Sequence, residues 1–211
     1  MKIMKKMMMG MCLLCLAGAA LAAQDAAFDS VCENLAKHPN MTGNFTQVKT
    51  ISAANRSLKS SGTFIFSLEG IMWKTERPFP SVLAVGLTSV IQTLPDGRQT
   101  VMDASSNQIF TSISSTLFSM FSGDAQKLGE NFTVDFSASG ADWKAVLTPK
   151  DAAVSAVMAS IAVSGTRAAA SAELNKIVMT EGSGDTITYT FTNQNYPEVL
   201  TDDEKAYFIA K

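Results

Sequence analysis

The sequence predicts a mainly β chain with a few helices, a meander of about eleven or twelve antiparallel strands. Two observations carry this reading. After residue 39 the apolar period changes from helical spacing to alternation, and alternation then dominates a chain of 211 residues. The alternating runs are mostly about four to ten residues long and are separated by Gly, Pro, Asn, Asp and Ser, so consecutive strands are expected to be neighbours.

The first stretch reads as a leader and not as part of the fold. Lys2, Lys5 and Lys6 precede an apolar run over 7–16, and Ala20-Leu21-Ala22 offers a cleavage site, so residues 1–22 read as a signal peptide and 23–211 as one domain. That run is shorter than the roughly 18 apolar residues a membrane span needs, and no second run follows it. Cys12 and Cys15 lack the small preceding residues of a lipoprotein cleavage site, which argues against lipidation. Without the leader the chain carries 14 basic and 19 acidic residues, a net charge of −5 with no basic stripe, which argues against nucleic acid as a partner. Cys32 is then the sole cysteine. It cannot form an internal disulfide and reads as a buried, inert thiol, leaving stability to a hydrophobic core.

The elements follow in order. Residues 26–37 place Phe28, Val31, Cys32 and Leu35 on one helical face and end at His38-Pro39. Strands are predicted at 43–51, 58–68, 71–76, 81–85, 89–94, 99–103 and 108–112, then at 132–137, 143–147, 160–164, 172–181 and 186–192. Pro95-Asp96-Gly97 is the strongest hairpin signal, supported by turns at Leu68-Glu69-Gly70, Ser139-Gly140-Ala141-Asp142 and Gly182-Ser183-Gly184-Asp185. Pro78 and Pro80 cannot donate to a ladder, which puts them at an edge or between strands. Two helical pieces interrupt the pattern. Residues 112–122 gather Ile113, Leu117, Met120 and Phe121 on one side with Phe118 beside them, closed by Gly123. Residues 150–159 group Val154, Val157 and Met158.

The inventory of reactive groups argues against an enzyme. His38 is the sole histidine and reads as an exposed helix-end residue, so Ser-His-Asp, Cys-His and multi-histidine metal sites are excluded. Asp202, Asp203 and Glu204 read as a solvated face, and Gly182 and Gly184 as turn residues with no following helix to hold a phosphate. No cofactor is predicted. What stands out is apolar surface: Phe64, Phe66 and Leu68 alternate with Ile65, and Ile71 and Trp73 with Met72. On composition alone an ordinary β-sandwich core is the favoured explanation. A sheet curled around a cavity is the other, with the 112–122 segment as a detachable cap or a plain covering helix.

The stretch 41–85, "MTGNFTQVKTISAANRSLKSSGTFIFSLEGIMWKTERPFPSVLAV", resembles the N-terminal signature of the LolA family of periplasmic outer-membrane lipoprotein carriers. The order is helix, Phe-x-Gln, a Ser-Gly-x-Phe strand, an apolar-x-Trp strand and a proline bend. "WKAVLTPKD" (143–151) and "IVMTEGSGDTITYTFTN" (177–193) are similar to the family's Leu-Thr-Pro strand end and closing hairpin. The resemblance implies a curved, unclosed half-barrel of about eleven antiparallel strands with a helical lid. It further implies a monomeric periplasmic carrier that takes lipoproteins, or a related acylated or lipid cargo, from an inner-membrane ABC-type release complex to an outer-membrane receptor. Phe45, Phe64, Phe66, Ile71 and Trp73 would belong to the hydrophobic wall, and Ile113, Leu117, Phe118 and Phe121 to the lid. A LolB-like receptor and a carrier of a non-lipoprotein lipid or polyene cargo are the alternatives. One departure stands out: the family's lid-latching Arg has no counterpart between residues 62 and 73, where the nearest basic residues are Lys59, Lys74 and Arg77.

Overall fold

A computed structural model describes residues 26–86, 88–103, 115–116 and 118–210. The predicted signal peptide, the predicted strand at 108–112, and Ile113 and Leu117 lie outside the described residues.

Eleven strands form one sheet: β1 Asn40–Ile51, β2 Arg56–Ser67, β3 Gly70–Arg77, β4 Ser81–Gly86, β5 Ser89–Thr93, β6 Gln99–Asp103, β7 Phe132–Ser139, β8 Asp142–Pro149, β9 Met158–Ala168, β10 Ser171–Glu181 and β11 Thr186–Asn195. Their order is β6-β5-β4-β3-β2-β1-β11-β10-β9-β8-β7, with every neighbouring pair antiparallel. Two meanders therefore meet at a single long-range seam, β1 against β11, where Phe45 faces Phe191 and Gln47 faces Tyr189. The edges β6 and β7 do not pair with each other, so the sheet is curved and unclosed. The sandwich favoured by composition is thus corrected: helices, and not a second sheet, cover the apolar face.

The helices are α1 (26–36), α2 (115–116 and 118–121), α3 Ala125–Asn131, α4 Ala152–Val157 and α5 Asp202–Lys205. Phe28, Val31, Cys32 and Leu35 of α1 are buried in one core with Met120 and Phe121 of α2 and Leu128 of α3. Inward residues of the strands join them, among them Phe64, Trp73, Val85, Val90, Phe136, Trp143, Val163, Ile177 and Phe191, and half-buried Met102 of the edge strand β6 packs against the cluster. Alternation explains this division, because each inward side chain has an outward neighbour on the other face. A second, smaller cluster lies on the outer face. There Ile65, Met72, Ala84 and Ile91 are covered by Leu200, Tyr207 and Phe208 from the C-terminal segment.

Several local expectations need correction. Leu68 does not continue the Phe64–Phe66 face; it is the first of two turn residues between β2 and β3 and is exposed. The helix predicted over 150–159 is only α4, capped by Asp151, and Met158 already belongs to β9. His38 is half-buried, its ring 4.4 Å from that of Tyr196. Asp202 and Asp203 are exposed, in keeping with a solvated face, and with Glu204 they form the first turn of α5. Pro78 and Pro80 fall in the β3–β4 connection as expected, and the Arg77–Pro78 peptide is cis.

Candidate functional site

The register of β2 on β3 sets Phe64 opposite Trp73 and Phe66 opposite Ile71, which places all four on the concave face. The register holds without interruption from the turn to Gly62 and shifts only beyond it, between Gly62 and Ser61. Gly62 has to be glycine because a Cβ would lie 1.9 Å from the Lys74 carbonyl oxygen. Gly43, opposite Phe64, has a related role: a Cβ there would stand 3.0 Å from the Phe64 ring, which occupies that space.

Phe64 lies 4.8 Å from both Phe66 and Phe191, measured between ring centroids. Phe66 meets Phe191 at 5.2 Å edge to face, Phe121 at 5.9 Å and Trp73 at 6.0 Å. Trp73 in turn lies 5.7 Å from Tyr189, and Tyr189 lies 6.1 Å from Phe45. These separations fall within the range of favourable aromatic contact. The structure therefore brings Phe45, Phe64, Phe66, Trp73 and Phe121 into one linked set of rings, with Ile71 buried in the same core. Phe118 is half-buried and stands outside that set.

The wall residues expected from the sequence do not include Tyr189 and Phe191, although β11 itself is expected as a strand. Ile187, Tyr189 and Phe191 alternate in "TITYTFTN", which signals an apolar face. What local sequence does not encode is that this face abuts β1 across 140 or so positions.

The concave face changes character along its length. Around Phe64, Phe66 and Phe191 it is wholly apolar. Beyond Trp73 the inward positions turn polar. Half-buried Thr75 comes next on β3, Ser60 donates a 3.3 Å hydrogen bond to Gln47, and Lys49 pairs with Glu181 at 3.0 Å. Trp73 and Tyr189 sit at this border. Tyr189 keeps partial exposure as a residue, yet burial of its phenol pushes the pKa up to about 12. Trp73 is 8% exposed, and its indole Nε1 is, among the described residues, the buried side-chain polar atom without a hydrogen-bond partner.

No arginine contacts this face from β2 or β3 at the expected latch positions. Lys59, Lys74 and Arg77 are all exposed, and Lys74 alternates with Trp73 and so lies on the outer side. Met120 and Phe121 of α2 are buried in the same core as the concave face, Phe121 against Phe66. The helix ends in a turn in which Asp124 donates its backbone N–H to Ser119 and Gly123 adopts φ +75°.

Among the described residues no group of three or more His, Cys, Asp or Glu side chains is placed to hold a metal ion, and no helix is long and apolar enough to cross a membrane. Cys32 is buried, and burial, reinforced by the charges of Asp29 and Glu33, pushes its thiol up to about 12, which suppresses the reactive thiolate.

No curated protein matches the sequence. Among solved structures, a LolA superfamily protein from Nitrosomonas europaea aligns at 9% identity and TM-score 0.45 over 86% of this chain and 98% of its own. The lipoprotein LppX from Mycobacterium tuberculosis aligns at 11% identity and TM-score 0.46 over 85% of this chain and 99% of its own. The family model described as "Outer membrane lipoprotein carrier protein LolA" matches residues 36–204, from the end of α1 through α5. With that match spanning the sheet, its aromatic concave face and the segment that covers it, the chain belongs to the LolA family of outer membrane lipoprotein carrier proteins.

Proposed function

We propose that this protein is a periplasmic carrier that shelters the acyl chains of lipoproteins, or of a related acylated cargo, on its concave face. The observation that carries this reading is the contact of Phe121 with Phe66: a short helix, outside the sheet, supplies the ring that covers an aromatic wall. A stable core has no need of a separable cover. A carrier does, because it alternates between a filled and an empty state.

Magnitudes support the same view. Burying a methylene contributes about 0.8 kcal/mol, so one chain of 16 carbons would gain roughly 12 kcal/mol in an open pocket and leave very slowly. In this protein the acyl chain must first displace Phe121 and Met120, which are themselves buried. That competition lowers the net affinity to one from which cargo is passed on. The donor would be an inner-membrane ABC-type complex and the acceptor an outer-membrane receptor, as in the family's transport route.

Native mass spectrometry of protein isolated from its own periplasm tests the reading. Acylated species should co-purify with the chain beginning near Ala23. A protein that is consistently empty and indifferent to added acyl probes would overturn it, and a lipid on an N-terminal cysteine would instead mark a receptor.

A further inference from the structure

The two tryptophans of this chain offer an internal comparison. Both are buried on the concave face, at 8% exposure for Trp73 and 2% for Trp143. Trp143 satisfies its indole N–H twice over, donating to the carbonyls of Thr166 at 3.1 Å and Glu173 at 3.2 Å. Trp73 donates to nothing. A buried donor left unpaired costs free energy comparable to a lost hydrogen bond, and such groups are few in folded proteins. A phenylalanine would fill the same wall without that cost, as Phe66 does beside it.

The position of Trp73 gives the orphan N–H a use. It stands where the apolar floor under Phe64 and Phe66 gives way to Thr75, Gln47 and the Lys49–Glu181 pair. An acylated molecule has the same profile, a hydrocarbon chain that ends in a carbonyl and then a polar head. A carbonyl oxygen accepts one N–H without adding charge to a low-dielectric site. We propose that Trp73 Nε1–H donates a hydrogen bond to the ester or amide carbonyl of the acyl chain, so that the site selects acyl esters and amides over plain hydrocarbon. The inference rests on the carrier reading and adds a recognition group to it. Tyr189, whose ring flanks Trp73, keeps its phenol protonated at neutral pH and supplies a second neutral polar group at the border.

The test compares ethyl palmitate with octadecane, each radiolabelled and partitioned from cyclodextrin into the wild-type protein and the Trp73→Phe variant. Trp73→Phe should weaken ethyl palmitate binding roughly threefold to tenfold more than octadecane binding, the worth of one neutral hydrogen bond, any loss common to both ligands reporting the smaller ring in the wall. Equal losses for both ligands, or no loss for the ester, would overturn the inference while leaving the carrier reading intact. A wild-type protein that takes up neither ligand would defeat the carrier reading itself, and the inference with it. Should Trp73→Phe fail to fold, the indole N–H resonance of Trp73 in wild-type protein, assigned with Trp143→Phe, gives a second readout. It should move downfield with ethyl palmitate and not with octadecane, and a resonance indifferent to the ester overturns the inference.

Discussion

At the scale of single residues, Phe121 is the ring on which the proposed loading would turn. It is 8% exposed and touches Phe66 on the wall from a helix that is not part of the sheet. Truncation removes a buried aromatic from the protein and, on the proposed carrier reading, would at the same time remove the competitor for an acyl chain. Phe121→Ala should therefore cost about 3 kcal/mol of stability in urea titration. It should also slow dissociation of an acylated fluorescent probe, and an unchanged off-rate would mean that this ring does not compete with cargo. Phe118, half-buried and outside the ring set, should show the smaller effect of the two. Cys32 behaves as a packing residue. With its pKa raised to about 12 by burial first and by Asp29 and Glu33 after it, the thiol of the chain starting at Ala23 should ignore a thiol reagent at pH 8 and react fully in guanidinium. Rapid labelling of native protein would show that α1 leaves the concave face readily.

Among the elements, the C-terminal segment shows how a short helix holds a surface in place. Thr201 and Glu204 form a capping box, the Thr201 hydroxyl accepting from the Glu204 N–H at 3.3 Å while the Glu204 carboxylate accepts from the Thr201 N–H at 2.8 Å. Between them α5 and the following turn carry Leu200, Tyr207 and Phe208 onto the outer cluster. Thr201→Ala should cost about 1 kcal/mol and speed tryptic cleavage after Lys205; cleavage at the wild-type rate would mean that the apolar contacts alone pin the segment. The same elements show what sequence makes legible. β2 and β3 are readable because Phe64, Phe66, Ile71 and Trp73 alternate around a marked turn. α3 is not, since Leu128 is its only buried residue and Gly129 dilutes its helical pattern, so no apolar stripe exists to be read. α4 is overestimated because Met158, buried at the start of β9, keeps helical spacing from Val154 by coincidence of position. Most of the aromatic wall, Phe45, Phe64, Phe66 and Trp73, is legible from the same alternation. The rest, Tyr189 and Phe191, depends on the β1–β11 seam, and a pairing between the two ends of a chain leaves no local period.

For the whole molecule, the open sheet with a single set of helices on its concave side concentrates buried acidic hydrogens in a few places, and this fixes its response to alkali. Three groups hold their protons above their ordinary range: Cys32 at about 12 instead of 9.0, and Tyr189 and Tyr196 at about 12 instead of 10.0. Burial is the first cause in each, joined for Tyr196 by the nearby charge of Glu173. All three are neutral when protonated. Between pH 9 and 12 the unfolded chain has therefore lost protons that the folded chain retains, so stability is full below about pH 9 and falls as pH rises toward 12. For Cys32 a shift of this size corresponds to on the order of 4 kcal/mol at the upper end of the window, and the more exposed Tyr196 adds little. The groups sit on different parts of the fold, Cys32 on the buried face of α1, Tyr189 at the β1–β11 seam and Tyr196 beside His38. Their losses should nonetheless register in one cooperative transition if the two meanders share a single core. Urea midpoints measured from pH 8 to pH 12 should thus fall together by circular dichroism and by tryptophan fluorescence, and Cys32→Ala should flatten the slope above pH 9. Separate transitions for the two probes would show that the halves on either side of the seam unfold independently, which a carrier that opens along β1–β11 would require and one that opens only at α2 would not.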